Sequence, residues 1–436
     1  MPRVLVAGGG AAGVAAAVEA ATSGAEVRLF EASDRLAPNR SLLPYLLSGR
    51  CSQDDIWSNN PDELSEKFDI EVSFGQRISS VDAGAKYVRT AGFGHNSERH
   101  SFDSLVIATG SSCLPDEVKG ISKPGVFVLE APKDYLALAR TIPNLSRVAL
   151  VGPSAPLAFV AAEELSAAVK VTLFLSAGAL DRFSPGLRKR VAAAAASHGV
   201  EIVDGGVQAV AGVKRVEAVI SRDGVRPCDA VAILPRGSPS LPEVGCQKGS
   251  HGGAIVDRSM RTSSRGVFAA GDCAELRLGT GSVPLRLQSS ALVMGKTAGR
   301  NAAGGGSTEA GLAGSFALEI FGTEVCVAGI DVTEGRAVGL DLIEMDDDEE
   351  IGGDGASSER VLLVSMIFET DSHRVYGIQA AGAGSLSLSS YISSVVSSHA
   401  RLEEIHYLES PYLPTQDRET SPICLTAGRF LTRLRG

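Results

Sequence analysis

Residues 4–31 read VLVAGGGAAGVAAAVEAATSGAEVRLFE. A short, wholly apolar run meets glycines. A breaker-free alanine-rich stretch follows, long enough for a helix, and then a second apolar run that ends in an acid. Short apolar runs bounded by glycine predict strands buried on both faces, and strands alternating with helices predict a parallel sheet. The same order returns at 147–178, RVALVGPSAPLAFVAAEELSAAVKVTLFLSAG. From about residue 307 the pattern changes. FALEIFGTEVCVAGID, RVLLVSMIFE and RVYGIQAAG predict strands of an antiparallel sheet, and the acidic, glycine-rich EMDDDEEIGGDGASSER (344–360) predicts a mobile surface loop.

The first glycine turn carries chemistry. Gly8, Gly10 and Gly13 fit G-x-G-x-x-G, with Ala11 and Ala12 opening the helix. The first glycine permits the tight turn, the second lets a pyrophosphate reach the backbone, and the third lets helix and strand pack closely. The helix N-terminus presents free N–H groups and a positive dipole end to phosphate. Glu31 ends the second strand, where a carboxylate accepts hydrogen bonds from ribose hydroxyls.

Three later stretches extend the pattern: LVIATGSSCLP (105–115), with Thr109 and Gly110 in its A-T-G turn; GVFAAGDCAE (266–275), with Gly271 and Asp272; and VPLRLQSSALVMGKTAGRNAAGG (283–305), headed by Pro284 and Leu285. With the first turn, their order and spacing resemble the pyridine nucleotide-disulfide oxidoreductase family, and within it the coenzyme A-disulfide reductase and NADH oxidase branch. The resemblance spans nearly the whole chain. It implies an α/β fold with two Rossmann-like dinucleotide-binding domains, one inserted in the other, plus a C-terminal α+β dimerisation domain. The expected division is 1–115 and 238–306 for FAD, 116–237 for a degenerate NAD(P)H-type domain, and 307–436 for dimerisation. FAD is the implied cofactor, with Asp272 by the ribityl chain and Pro284 and Leu285 by the flavin ring.

The second glycine turn departs from that family. Gly152 keeps the first position, but Ser154 and Leu157 occupy the second and third, and Pro153 and Pro156 remove N–H donors. Phe159 stands where the family carries a glutamate beside the nicotinamide, and could stack there as a gate. Leu175 and Ser176 stand where a charged residue would read the adenosine ribose. The resemblance therefore implies a domain that has lost NAD(P)H.

NRSLLPYLLSG (39–49) resembles the family's C-x-x-P-Y segment, with Ser41 at the cysteine position and Tyr45 as its tyrosine. A hydroxyl forms no disulfide and is too weak an acid to replace a thiolate. Asn39-Arg40 resembles the N-R of flavin reductases that lack the cysteine. Arg40 and Ser41 are thus expected to wall the flavin pocket, with a bare helix cap as the competing role for Ser41. Cys51 is expected as a partly buried helix cysteine rather than a displaced redox thiol. SPYLP near the end resembles the closing segment whose tyrosine, here Tyr412, reaches the partner's flavin pocket. Cys424 is expected to be a core thiol.

Composition narrows the partners. The net charge of −10 argues against nucleic acid or anionic membrane. The seven cysteines are scattered and contain no C-x-x-C pair, which fits no metal site and a reducing, cytoplasmic compartment. No apolar run is long enough for a membrane span. The expected function is an FAD-dependent oxidoreductase oxidising a small substrate directly at the flavin and passing electrons to oxygen or a carrier, with an electron-acceptor protein a possible partner and a homodimer as the assembly. Two alternatives stand beside it: an NAD(P)H-dependent flavin reductase or oxidase, and a non-catalytic flavin-binding subunit of a complex.

Overall fold

The computed structural model describes the chain except residues 58–59, 93–96, 115–117, 153–154, 306–307, 352–359, 411–420 and 436. The chain forms two compact units. The first comprises Met1–Leu42, Cys51–Leu114 and Gly237–Gly314, and the second comprises Leu43–Arg50, Pro115–Arg236 and Ser315–Gly436.

The first unit is built on a five-stranded parallel sheet in the order Val267–Ala269, Ser104–Ile107, Arg3–Ala7, Glu26–Phe30, Ile70–Ser73. Its central strand is apolar because both faces are covered: Val4, Leu5 and Val6 are fully buried. The helix Ala11–Thr22 packs on the helix Gln288–Ala302 with backbones nearly touching. A Cβ at Gly295 would lie 2.2 Å from the Ala12 carbonyl oxygen, and one at Gly299 would lie 2.1 Å from that of Ala16. Glycines four apart share a helix face, so this pair sets the close crossing.

The second unit holds another five-stranded parallel sheet, in the order Val200–Asp204, Lys170–Leu175, Arg147–Gly152, Ala230–Ile233, Val126–Val128. It also holds an antiparallel sheet in the order Phe316–Ile320, Thr323–Gly329, Val375–Ala381, Arg360–Glu369, Leu342–Ile351. Two Rossmann-type parallel sheets and a C-terminal α+β portion agree with the fold class expected from the sequence.

The acidic segment is a correction. Residues 342–351 form a ten-residue edge strand rather than the start of a mobile loop. Arginines distant in sequence make the difference. Arg190 reaches Asp348 at 2.6 Å, Arg429 and Arg433 reach Asp347 at 2.8 and 2.7 Å, and the Gly186 N–H donates to Asp346 at 3.0 Å. Neutralised in this way, a run of acids tolerates strand geometry.

Candidate functional site

In the first unit the three glycines of the turn stand in three different surroundings. Gly8 adopts φ +104°, and a Cβ there would sit 2.3 Å from the Ala108 carbonyl oxygen. Gly13 lies against Gly8 so closely that a Cβ would be 1.8 Å from the Gly8 oxygen. Gly10 differs from both, because a Cβ there would meet nothing within 4 Å. It caps the helix Ala11–Thr22 with no side-chain hydrogen bond and with no acid in the first turn. The helix therefore presents free N–H groups to an open space, an arrangement that can receive an anion.

The surrounding residues converge on that turn. Glu31 accepts from the Gly9 N–H at 2.6 Å, and from the Ser33 N–H and hydroxyl at 2.8 Å each. Gly271, at φ +76°, would place a Cβ 3.0 Å from that of Ala12. Asp272 follows it and accepts from the Ser111 hydroxyl at 3.2 Å. Thr109 donates to the Ser240 carbonyl, and Gly110, at φ +67°, faces open space. The Ala37 N–H donates to the Gly9 oxygen at 3.1 Å, which lays the chain leading to Ser41 over the turn. Pro284 and Leu285 precede the helix Gln288–Ala302. Carboxyl ends of parallel strands, a bare helix end and a ribose-type acid fit a dinucleotide such as FAD. Ser111 was not singled out in the sequence. It is a polar residue beside the A-T-G turn, but its partner Asp272 is 161 positions away.

Arg40 and Ser41 begin the 3₁₀ helix Arg40–Leu46. The Ser41 N–H donates to the Asn39 side-chain oxygen at 3.1 Å, so Asn39, not Ser41, caps this helix. Cys51 is partly buried as expected, but it lies beyond the helix in a bend, with its S–H directed to the Ser52 carbonyl at 3.4 Å. Partial burial and nearby Asp55 push its thiol pKa up, away from a reactive thiolate. Tyr412 lies outside the described residues. Cys424 is fully buried, 3.1 Å from the Tyr391 hydroxyl.

In the second unit, a Cβ at Gly152 would lie 2.6 Å from that of Ala158, so this glycine serves helix packing. Pro153 and Ser154 lie outside the described residues. Leu157 is half-buried. Leu175 is fully buried, and its carbonyl accepts from the Gly205 and Gly206 N–H groups at 3.0 and 2.8 Å. Phe159 cannot act as a gate. Its ring is fully buried between Phe183 and Phe321, at centroid distances of 6.1 and 6.5 Å. An aromatic at that position of an alanine-rich helix goes to the core when other aromatics wait there.

Two further residues on the helix Ala155–Ser166 escaped notice in the sequence. Glu164 is buried and bonded to Ser48 and Arg50, and burial raises the pKa of the adjacent Glu163. A double glutamate ending a helix reads as a solvated face, and only the fold shows otherwise.

Comparison with known proteins defines the class. Residues 2–292 match the family described as pyridine nucleotide-disulphide oxidoreductase, and the chain belongs to that family of flavoprotein oxidoreductases. Among its relatives is an NAD(P)H sulfur oxidoreductase (CoA-dependent) of Pyrococcus furiosus, 24% identical over 427 residues, covering 94% of this chain and 95% of the relative. Another is an NADH oxidase of Methanocaldococcus jannaschii, 23% identical over 459 residues and 99% of both chains. Among solved structures, an NAD-dependent persulfide reductase from A. fulgidus superposes with a TM-score of 0.88 at 22% identity, covering 100% of this chain and 84% of that one. The water-forming NADH oxidase from Lactobacillus brevis does so with a TM-score of 0.88 at 19% identity, over 100% and 99%. These structural likenesses establish the shared fold. Among the described residues, no helix is long and apolar enough to cross a membrane.

Proposed function

We propose that the protein is an FAD-dependent oxidoreductase that oxidises a small substrate directly at the flavin, without NAD(P)H or a redox disulfide, and passes the electrons to oxygen or a carrier. The observation that carries this reading is the contrast between the two parallel-sheet sites. The first has an open, uncapped helix end at Gly10 with Glu31 and Asp272 beside it. The second has Phe159 and Leu175 committed to the core where cofactor-facing groups are expected.

In this reading residues 1–115 and 238–306 hold the FAD, 116–237 form the degenerate domain, and 307–436 pair two chains. Gly8, Gly10, Ala11, Ala12 and Gly13 receive the pyrophosphate. Glu31 holds the adenosine ribose, Asp272 and Gly271 hold the ribityl side, and Arg40, Ser41, Thr109, Gly110, Pro284 and Leu285 wall the ring. Bound FAD supplies the redox chemistry; the residues supply placement and electrostatics. Ser41 offers a hydroxyl to substrate, with Tyr45 and the partner-reaching Tyr412 as candidate catalytic phenols. The Glu31 carboxylate already has donors on both oxygens, which fixes its orientation for the ribose.

The names of the relatives favour a second reading, an NAD(P)H-dependent flavin reductase or oxidase. Anaerobic mixing with NADH or NADPH separates the two. Flavin absorbance that stays oxidised supports direct substrate oxidation, and rapid bleaching at micromolar cofactor replaces it with the second reading. A protein that takes up no FAD refutes both.

A further inference from the structure

The segment Leu43–Arg50 belongs to the second unit although its neighbours on both sides belong to the first. Within that unit Leu43, Leu46 and Leu47 are buried, and one buried carboxylate holds two of the segment's polar side chains. The Glu164 side chain is only 2% exposed, and it pairs with Arg50 at 2.7 Å. Its other oxygen accepts from the Ser48 hydroxyl, which also lies 3.4 Å from the Tyr45 carbonyl oxygen. The Arg50 guanidinium lies over the Tyr45 ring, 5.1 Å from its centroid. The Arg50 side chain is itself 67% exposed. A long, solvated arginine gains little by holding one rotamer, so its place over the ring needs an anchor. The buried carboxylate is that anchor.

We propose that Glu164 is a positioning residue for Tyr45: through Arg50 and Ser48 it clamps the segment after Ser41 and fixes the cation over the phenol. The functional value of this clamp rests on the reading of Tyr45 as a flavin-side group; the clamp itself does not. The charged groups facing Tyr45 are Arg50, Glu164 and Glu163, and Glu319 on the strand Phe316–Ile320. Burial raises the phenol pKa, Arg50 lowers it, and the three carboxylates raise it.

The sign of one titration tests the clamp. In full-length protein carrying 13C-labelled tyrosine, Tyr45→Phe assigns the Tyr45 signal. If Glu164 holds Arg50 in place, Glu164→Gln releases the arginine to solvent. Tyr45 then loses its cation, whose effect on the phenol exceeds that of the Glu164 carboxylate, and its midpoint rises. Arg50→Gln, which keeps the Glu164 carboxylate, gives a larger rise, and the double variant rises no further than Glu164→Gln alone. If Arg50 keeps its place without Glu164, removing a nearby negative charge lowers the midpoint instead. A fall, or no movement, overturns the proposal. Glu164→Gln preserves side-chain size, so unfolding is avoided, and thermal melting verifies this. FAD content is measured on the same samples. Its absence refutes the flavin reading and leaves the clamp result standing.

Discussion

Gly10 and Gly13 stand three residues apart in one turn, and an added methyl should do opposite things at the two sites. Gly13→Ala places a Cβ 1.8 Å from the Gly8 carbonyl oxygen and 2.9 Å from its carbon. Ordinary contact needs well over 3 Å, roughly the carbon–oxygen approach of weak hydrogen bonds. The helix must therefore move by an ångström or more, and overpacking of this kind costs about 1–3 kcal/mol. Gly10→Ala meets nothing within 4 Å, and the backbone there, at φ −79°, accepts any residue. The apo-protein should lose less than about 1 kcal/mol, because the poorer cap is partly offset by the smaller unfolded-state entropy of alanine. In the proposed FAD site, the methyl occupies the space through which phosphate oxygens would reach the helix N–H groups. Losing one charged hydrogen bond costs about 1.5–3 kcal/mol, so FAD affinity should fall about tenfold to a hundredfold. Urea unfolding of the apo-proteins gives the first quantity, and titration with FAD followed by flavin fluorescence gives the second. Wild-type FAD affinity in Gly10→Ala would refute the reasoning, as would equal destabilisation of the apo-protein by both variants.

Other outcomes follow from the same geometry. NADH and NADPH should reduce the bound flavin slowly, because Leu157 and Phe159 leave the second turn without its usual contacts; stopped-flow absorbance measures this. Phe159→Ala should cost about 3–5 kcal/mol by emptying the space between Phe183 and Phe321. Phe159→Glu should unfold the second unit rather than confer cofactor use, and circular dichroism reads both. Burial pushes the thiol pKa of Cys228 and Cys326 up to about 11, so both should stay protonated and resist iodoacetamide at pH 8, gaining reactivity only as the pH rises towards that value; mass spectrometry of labelled peptides showing them modified as fast as an exposed thiol would contradict this. The C-terminal portion leaves Tyr407 83% exposed and Leu408 41% exposed, and light scattering should find a homodimer; a stable, active monomer would count against the interface and against Tyr412 as a site residue.

What the sequence determined was whatever depends on near neighbours. The strand Arg3–Ala7, the turn at Gly8 to Gly13 and the helix Ala11–Thr22 were legible because a buried apolar run, a glycine spacing and an unbroken alanine stretch each constrain the backbone locally. The same holds for the place of Glu31, just past the end of the next strand, and for the absence of a thiol at Ser41. Tertiary structure decided whatever depends on distant partners. A run of acids at 344–350 became a strand because Arg190, Arg429 and Arg433 arrive from other elements. Phe159 became core because Phe183 and Phe321 surround it. Glu164 became a buried anchor because Ser48 and Arg50, more than a hundred residues earlier, fold onto it. Charge and side-chain type are written in the chain, but the desolvation and pairing that set their energies exist only once remote segments meet.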